Sequence, residues 1–353
     1  MLMGFGCLLS GQVRKLDSLL QASANADQFS GSVLIAKNGE VVYEKMLGFA
    51  DLDKREPVDT QTVFSLASVG KIITAALVMK YVEDGKLALD LPVQQYLPGT
   101  SLPNADKITI HHLLSQTSGL GNYMRDPEYP KLPRDAVDID RVFQLVARQP
   151  LEFDAPGTTH AYSNSGFIVL GKILENVSGM PYGELLKQQL LNRFSMSHTF
   201  LTPSPGGAVK QAKGQRRMGP DQPWESTMDI FPIPLSDGGV FTTSRDLLAF
   251  DRAFYSGQIV GPAYLGKMMH IHSVGEQPGF GKIAYGYGLM VQEFENKGRA
   301  VGHNGGSPGY NAEYRHYFLE NGDEYTLILL SNHDRVIRPF FFAMQEMILN
   351  QNL

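Results

Sequence analysis

Ser68 and Lys71 stand three residues apart at the head of an otherwise apolar run, FSLASVGKIITAALVMKYVEDGK, residues 64–86. From Val69 to Val82 the only polar side chains besides the Tyr81 phenol are Lys71, Thr74 and Lys80. A stretch apolar nearly all round predicts a helix buried in the centre of a domain, ending near Gly85. The spacing puts Ser68, Lys71 and Thr74 on one face, with Ser68 at the helix N-terminus, where free backbone N–H groups favour developing negative charge. A hydroxyl, an amine in reach and a preset oxyanion donor describe a serine nucleophile. The competing reading is plain: Ser68 caps the helix and Lys71 snorkels to the surface. S-x-x-K arises by chance about once in a chain of this length, so the pair needs support from elsewhere.

A serine hydroxyl attacks only when something removes its proton, and a hydrolase also needs a route for that proton to the leaving group. Two stretches offer it. In HAYSNSGF (160–167) Tyr162 and Asn164 project together from a tight segment before a helix. The phenol would relay a proton and the amide would hold a substrate carbonyl; otherwise Tyr162 packs and Asn164 caps. In VGHNGGSPGY (301–310) His303 precedes Gly305 and Gly306, which let backbone approach a ligand closely and place an N–H beside that of Ser68. The alternative there is a glycine-rich turn with an incidental histidine.

Taken together and in this order, Ser68-Val-Gly-Lys71, Tyr162-Ser-Asn164 and His303-Asn-Gly305 resemble the three active-site motifs of the serine β-lactamase and penicillin-binding-protein superfamily. The likeness is greatest to its class C-like branch of class C β-lactamases, DD-peptidases, D-aminopeptidases and family VIII-type esterases. It extends through ITIHHLLSQTSGL (108–120) and GGVFTTSRDLLAF (238–250). The resemblance implies that Ser68 is acylated, that Lys71 and Tyr162 share its proton, and that Tyr162 serves the leaving group and the deacylating water. It implies further that Asn164 binds the acyl side chain and that the N–H groups of Ser68 and Gly306 form the oxyanion hole. His303 departs from class C β-lactamases, which carry lysine at the matching place. Histidine gives one directional donor where lysine gives a fixed cation, which tells against efficient β-lactam hydrolysis.

The elements that must bring these pieces together are legible in outline. Residues 12–26 have helical spacing, and GSVLIAK and EVVYEKML flank Asn38-Gly39, a hairpin signal. From Leu87 to Ser236 the chain reads as helices (108–120, 138–147, 164–177, 182–194) with long Pro/Gly-rich connections. Strands return at 238–243, 285–294, 310–320 and 324–332, followed by a last helix over 337–349. This order predicts an α+β, β-lactamase/transpeptidase-like fold: an antiparallel sheet of about five strands flanked by N- and C-terminal helices, with an all-helical insertion. The sheet part would comprise residues 12–86 and 236–353, and the insertion residues 87–235. Specificity is expected in the irregular loops 121–136 and 202–226.

Composition narrows the function further. The 31 basic and 36 acidic residues of this 353-residue chain are interspersed, for a net charge of −5, which argues against a nucleic-acid partner. One cysteine, Cys7, excludes an intrachain disulfide and a thiolate metal cluster. Residues 1–11 are apolar but too short to span a membrane, and read as the remnant of an export signal, which favours a periplasmic or secreted location, or as a disordered start. Gly305-Gly306-Ser307-Pro308-Gly309 matches the α/β-hydrolase elbow, yet a strand follows where that motif needs a helix. His270 and His272 lack a completed ligand set and read as structural, as do His111 and His112. Trp224 either lines the acyl pocket or anchors its loop.

The sequence therefore points to a serine hydrolase working without metal or organic cofactor on a small-molecule or short-peptide ester or amide. A carboxylesterase or D-amino-acid peptidase is favoured over a β-lactamase or DD-carboxypeptidase. A sensor acylated without turnover is the alternative of another class.

Overall fold

A computed structural model describes residues 11–132, 137–201, 209–219, 222–227, 235–277 and 281–353. The first ten residues with Cys7, and residues 133–136, 202–208 and 220–221 of the two expected specificity loops, lie outside the described residues.

Alternating burial builds the sheet. In β1 (Gly31–Lys37) Val33 and Ile35 join one buried cluster and Leu34 and Ala36 the other, so both faces are covered. β1 pairs with β2 (Glu40–Leu47) through the Asn38-Gly39 turn and with the last strand of the chain. The remaining strands are β3 (Ser273–Gln277), β4 (Gly281–Tyr285), β5 (Met290–Phe294), β6 (Gly298–Ser307), β7 (Tyr310–Leu319) and β8 (Glu324–Ser331). They complete an antiparallel sheet in the order β2-β1-β8-β7-β6-β5-β4-β3. Eight strands stand where the sequence predicts about five. β3 is a short edge strand, β4 beside it is equally short and without clean alternation, and β6 carries four glycines that read as a turn.

One face is closed by α1 (Gly11–Asn25) and α9 (Arg338–Leu349), through Leu16, Leu20, Phe340 and Met344 against Val33, Tyr317 and Leu327. Of the three consecutive phenylalanines, Phe340 and Phe341 are buried and Phe342 is exposed. Against the other face lies α2 (Gly70–Glu83), buried along most of its length as its composition demands, and followed by Gly85 at φ +69°. Beyond α2 lie α3 (Ile110–Leu114), α4 (Ile139–Ala147), α5 (Asn164–Ser178) and α6 (Tyr182–Leu186). Thr109 and Asp138 cap α3 and α4, and His112 closes a capping box with Thr109. The helix expected over 182–194 narrows to α6 and then runs into a wider turn at Lys187–Leu191. All four helices fall within 87–235 and every strand of the sheet outside it; on that distribution we propose the discontinuous division, with α2 as the shared core. No helix among the described residues is long and apolar enough to cross a membrane.

α7 (Ser244–Tyr255), followed by α8 (Pro262–Met269), supplies Asp251, a buried carboxylate bonded by the Tyr314 hydroxyl at 2.7 Å, Thr326 Oγ1 at 2.7 Å and His316 Nδ1 at 3.0 Å. Burial alone would lower the His316 pKa, but Asp251 and Glu324 outweigh it and hold the ring charged up to about 9. Because the folded value lies above the unfolded one, this stabilisation is complete below about pH 6.5 and is lost as pH rises through about 9. Asp251→Asn removes the charge that holds His316 protonated and weakens the acceptor of three buried donors, and is expected to cost about 3 kcal/mol in urea unfolding at pH 7. His316→Gln should flatten the fall in stability between pH 6.5 and 9 that the unsubstituted protein shows.

Candidate active site

Ser68 sits in a single tight turn, Ala67–Val69, that runs directly into α2. The turn is wedged between two glycines. A Cβ on Gly238 would meet the Ala67 carbonyl at 2.9 Å, and one on Gly305 would meet the Leu66 carbonyl at 2.2 Å. Between them Ala67 is held at φ +45°, a left-handed conformation that a residue with a side chain adopts only when its surroundings impose it. The two-residue strand Phe64–Ser65 pairs with Phe241–Thr242, and Leu66 N–H donates to the Val240 carbonyl. Both flanks of the serine are thus fixed.

Lys71, in the first turn of α2, is wholly buried, which removes the snorkelling alternative. Its Nζ donates to Ser68 Oγ at 3.2 Å, to Asn164 Oδ1 at 2.7 Å and to the Asp237 carbonyl at 2.5 Å. Three acceptors match the three hydrogens of an ammonium. The Ser68 side chain makes no helix-capping bond. Nor does Asn164 cap α5: Ser163 takes the cap position, and the Asn164 amide NH₂ points to Met124 Sδ at 3.3 Å.

Tyr162 reaches the same cleft from the segment before α5. Lys71 Nζ lies 5.3 Å from the centre of its ring, and the His303 ring centre 5.9 Å away. Its hydroxyl is buried and has no hydrogen-bond partner among the described residues, so the expected network of serine, lysine and tyrosine is closed among them only between Ser68 and Lys71.

His303 lies inside β6, not at its end, and is 1% exposed. Nδ1 faces the Asn304 carbonyl at 2.5 Å and must donate, so Nε2 accepts from the Tyr285 hydroxyl at 2.9 Å. The directional donor expected for substrate is therefore turned onto the protein's own backbone. Burial, reinforced by the Lys71 charge, pushes the His303 pKa down to about 3, so the ring stays neutral at every working pH. A folded value below the unfolded one means that protonating His303 in acid destabilises the fold. His303→Gln is accordingly expected to leave the shape of the kcat/KM profile between pH 5 and 8 unchanged.

β5 pairs with β6 only from Gly298 to Gly302, which leaves the edge of β6 from His303 to Ser307 free of a strand on that side among the described residues. A cleft of about 500 Å³ opens along it, lined by Ser68, Tyr162, His303, Gly305 and Gly306, with Glu313, Arg335 and Arg338 on its far side. The seven candidate residues thus converge: five line the cleft, and Lys71 and Asn164 bond to one another beneath it. Ser307 precedes strand β7, which removes the hydrolase-elbow reading.

Some contributors carry no sequence signal that the motifs would reveal. The 236–238 segment, Ser-Asp-Gly, supplies the Asp237 carbonyl to Lys71 and the Ser236 carbonyl to Thr74 Oγ1 at 2.6 Å. The Asp237 carboxylate accepts from the buried Tyr123 hydroxyl at 2.8 Å, and burial raises its pKa. Trp224 lies away from the cleft lining: it stacks on His333 at 3.9 Å and donates to the Asp27 carbonyl, anchoring its loop. His272 stacks on Tyr287 at 3.9 Å and contacts the Lys267 carbonyl through Nε2, a structural role.

A family model described as Beta-lactamase matches residues 16–343. The chain is 30% identical over 336 residues to a penicillin-binding protein of Bacillus subtilis (strain 168), spanning 91% of this chain and 72% of that protein. It is 36% identical over 181 residues to the esterase EstB of Burkholderia gladioli, 47% of this chain and 46% of that enzyme. Its fold matches that of the D-amino acid amidase from Ochrobactrum anthropi SV3 with a TM-score of 0.80 at 22% identity, covering 96% of this chain and 99% of the amidase. An octameric penicillin-binding protein homologue from Pyrococcus abyssi gives a TM-score of 0.80 at 26% identity, covering 96% and 77%.

Proposed function

The chain belongs to the Beta-lactamase family and is a serine hydrolase of the β-lactamase and penicillin-binding-protein superfamily, and from that premise we propose that it hydrolyses an ester or amide through an acyl-enzyme at Ser68. The observation that carries this reading is the buried ammonium of Lys71, 3.2 Å from Ser68 Oγ at the wall of an open cleft. In the first half-reaction Ser68 Oγ attacks the scissile carbonyl, its proton passing to the Tyr162 phenol oxygen as the phenol's own proton passes to the leaving group, while Lys71 holds Ser68 Oγ. With the three Lys71 hydrogens engaged by acceptors, the unpartnered Tyr162 phenol is the group placed to pass a proton on to the leaving group. The backbone N–H groups of Ser68 and Gly306 receive the oxyanion, and the Asn164 NH₂, held otherwise only by a thioether, turns to the acyl side chain. In the second half-reaction water attacks the acyl-enzyme ester, Tyr162 taking a proton from the water and passing one to Ser68 Oγ as the free acid leaves.

A carboxylesterase or D-amino-acid peptidase suits the neutral His303, which offers a carboxylate no charge. A β-lactamase or DD-carboxypeptidase is the second reading, favoured by one observation: Arg335 and Arg338 bring cations to the far side of the cleft. Parallel assays on a short-chain nitrophenyl ester, a chromogenic cephalosporin and a D-alanyl-D-alanine peptide separate these. Sustained turnover of the ester with the cephalosporin untouched is expected. A burst of one equivalent without a steady state on all three would replace the enzyme with an acylated sensor.

A further inference from the structure

The Tyr162 side chain ends in a buried hydroxyl with no hydrogen-bond partner among the described residues, so no bond at its tip sets its direction. The ring must be aimed from the backbone at its root. The N–H groups on either side of it both end on one residue. Ala161 N–H donates to the Gln116 main-chain carbonyl at 2.9 Å, and Ser163 N–H donates to Gln116 Oε1 at 2.8 Å. We infer that Gln116 is a positioning residue for Tyr162, an inference that rests on the proton role proposed above for the phenol.

The geometry of Gln116 fits no simpler purpose. It is 1% exposed and comes directly after Ser115, which ends α3. Its backbone is left-handed, φ +60°, a conformation that a residue with a side chain keeps only where its surroundings impose it. Glycine or asparagine would hold such a turn with less strain, but neither carries a carbonyl at the end of two methylenes. Reach, not ease of turning, is what glutamine supplies here. Its two carbonyls grip the segment just where Ser163, extended at φ −137° and ψ 128°, leads into α5.

Other ties act farther from the phenol. Gly157 N–H donates to the Thr117 carbonyl at 2.8 Å, His160 Nδ1 lies 2.9 Å from Ser273 Oγ, and Asn164 Oδ1 accepts from Lys71. These keep the segment in place when Gln116 is changed. The rings of Tyr285 and His303, centred 6.5 Å and 5.9 Å from that of Tyr162, do not fix it, since ring pairs accept separations over roughly 4.5–7 Å. Without the Gln116 grip the phenol is free to shift, and a misplacement of about 1 Å is enough to cost about 10²-fold in rate.

Gln116→Met keeps the length of the side chain and the main-chain bond and removes the acceptor for Ser163 N–H. Gln116→Asn suits the left-handed backbone and withdraws the acceptor by one carbon, and it carries the test if the methionine variant melts too low to assay. An ethyl and a nitrophenyl ester of the same short-chain acid separate the roles, because ethoxide needs a proton as it departs and nitrophenolate does not. In either variant kcat/KM is expected to fall about 10²-fold for the ethyl ester and about tenfold for the nitrophenyl ester. A residue that only steadied the loop would lower both by one factor. Added to Tyr162→Phe, the same substitution should cost little more, since the group it aims is gone. Equal losses on the two esters, full additivity with Tyr162→Phe, or native rates in both Gln116 variants would each overturn the inference and leave the acyl-enzyme standing. Native rates in Tyr162→Phe would overturn the proton role and the inference with it, and Ser68→Ala then reads what remains of the proposed function.

Discussion

Ser68→Ala is expected to lower kcat on whichever substrate the native enzyme turns over by about 10⁴-fold or more, with an unchanged melting temperature. The size follows from the position of the hydroxyl. Ser68 is partly exposed at the cleft, and the lysine beside it keeps its other two acceptors, Asn164 and the Asp237 carbonyl, after the change. Only the proposed nucleophile is removed. Lys71→Met is expected to cost a comparable factor because the two groups act as a unit, and the double variant should be hardly slower than either single one. The lysine variant also strands Asn164 and Asp237 in a buried setting, so its melting temperature should fall, which Ser68→Ala does not do. Retention of native turnover by Ser68→Ala would remove the acyl-enzyme altogether, and additive losses in the double variant would separate the lysine from the serine. Burst kinetics with a nitrophenyl ester read both.

The chemistry of this site is more legible in the sequence than its wiring. A buried helix with one lysine in its first turns is an unusual object, and α2 follows directly from the apolar run after Ser68. Thr109 and Asp138 likewise announce the starts of their helices through side-chain oxygens, a signal written in residue type. The Asp237 contact is different, since a backbone carbonyl holds Lys71 and any residue would supply one. The inward turn of His303 depends on Tyr285, 18 positions away at the end of a five-residue strand too short to show alternation. β6 reads as a turn because its glycines are chosen for what they touch, not for strand propensity. Local pattern thus fixes which groups are present, while long-range pairing decides where each hydrogen bond goes.

That distinction gives the second large effect. Gly305→Ala is expected to lower kcat by about 10²-fold or more by displacing Ser68. Gly305 lies opposite Ala312 in the β6–β7 ladder, and its carbonyl accepts from Asn311 Nδ2 at 3.1 Å, so the strand has little freedom to retreat. The added methyl would stand 2.2 Å from the Leu66 carbonyl, 3.2 Å from the Ser68 nitrogen and 3.3 Å from Ala67 Cβ. The first of these is backbone against carbon, far inside contact distance, and relief must come from moving the turn that holds Ser68. Gly238 blocks the opposite side, 2.9 Å from the Ala67 carbonyl if it bore a Cβ, so the turn has no room to shift as a body. The left-handed Ala67 is then the weak point, and its relaxation would swing Ser68 Oγ away from Lys71. A displacement of about 1 Å is enough for the expected loss. The expected pattern is a fall in kcat with little change in KM, since the far cleft wall at Arg335 and Arg338 is untouched. Gly306→Ala, whose Cβ would find only Asn311 Nδ2 at 4.0 Å, is the control and should fold and pack normally. Native kcat in Gly305→Ala would show that the turn is free to move, and with it that the wedge between the two glycines does not set the position of the nucleophile.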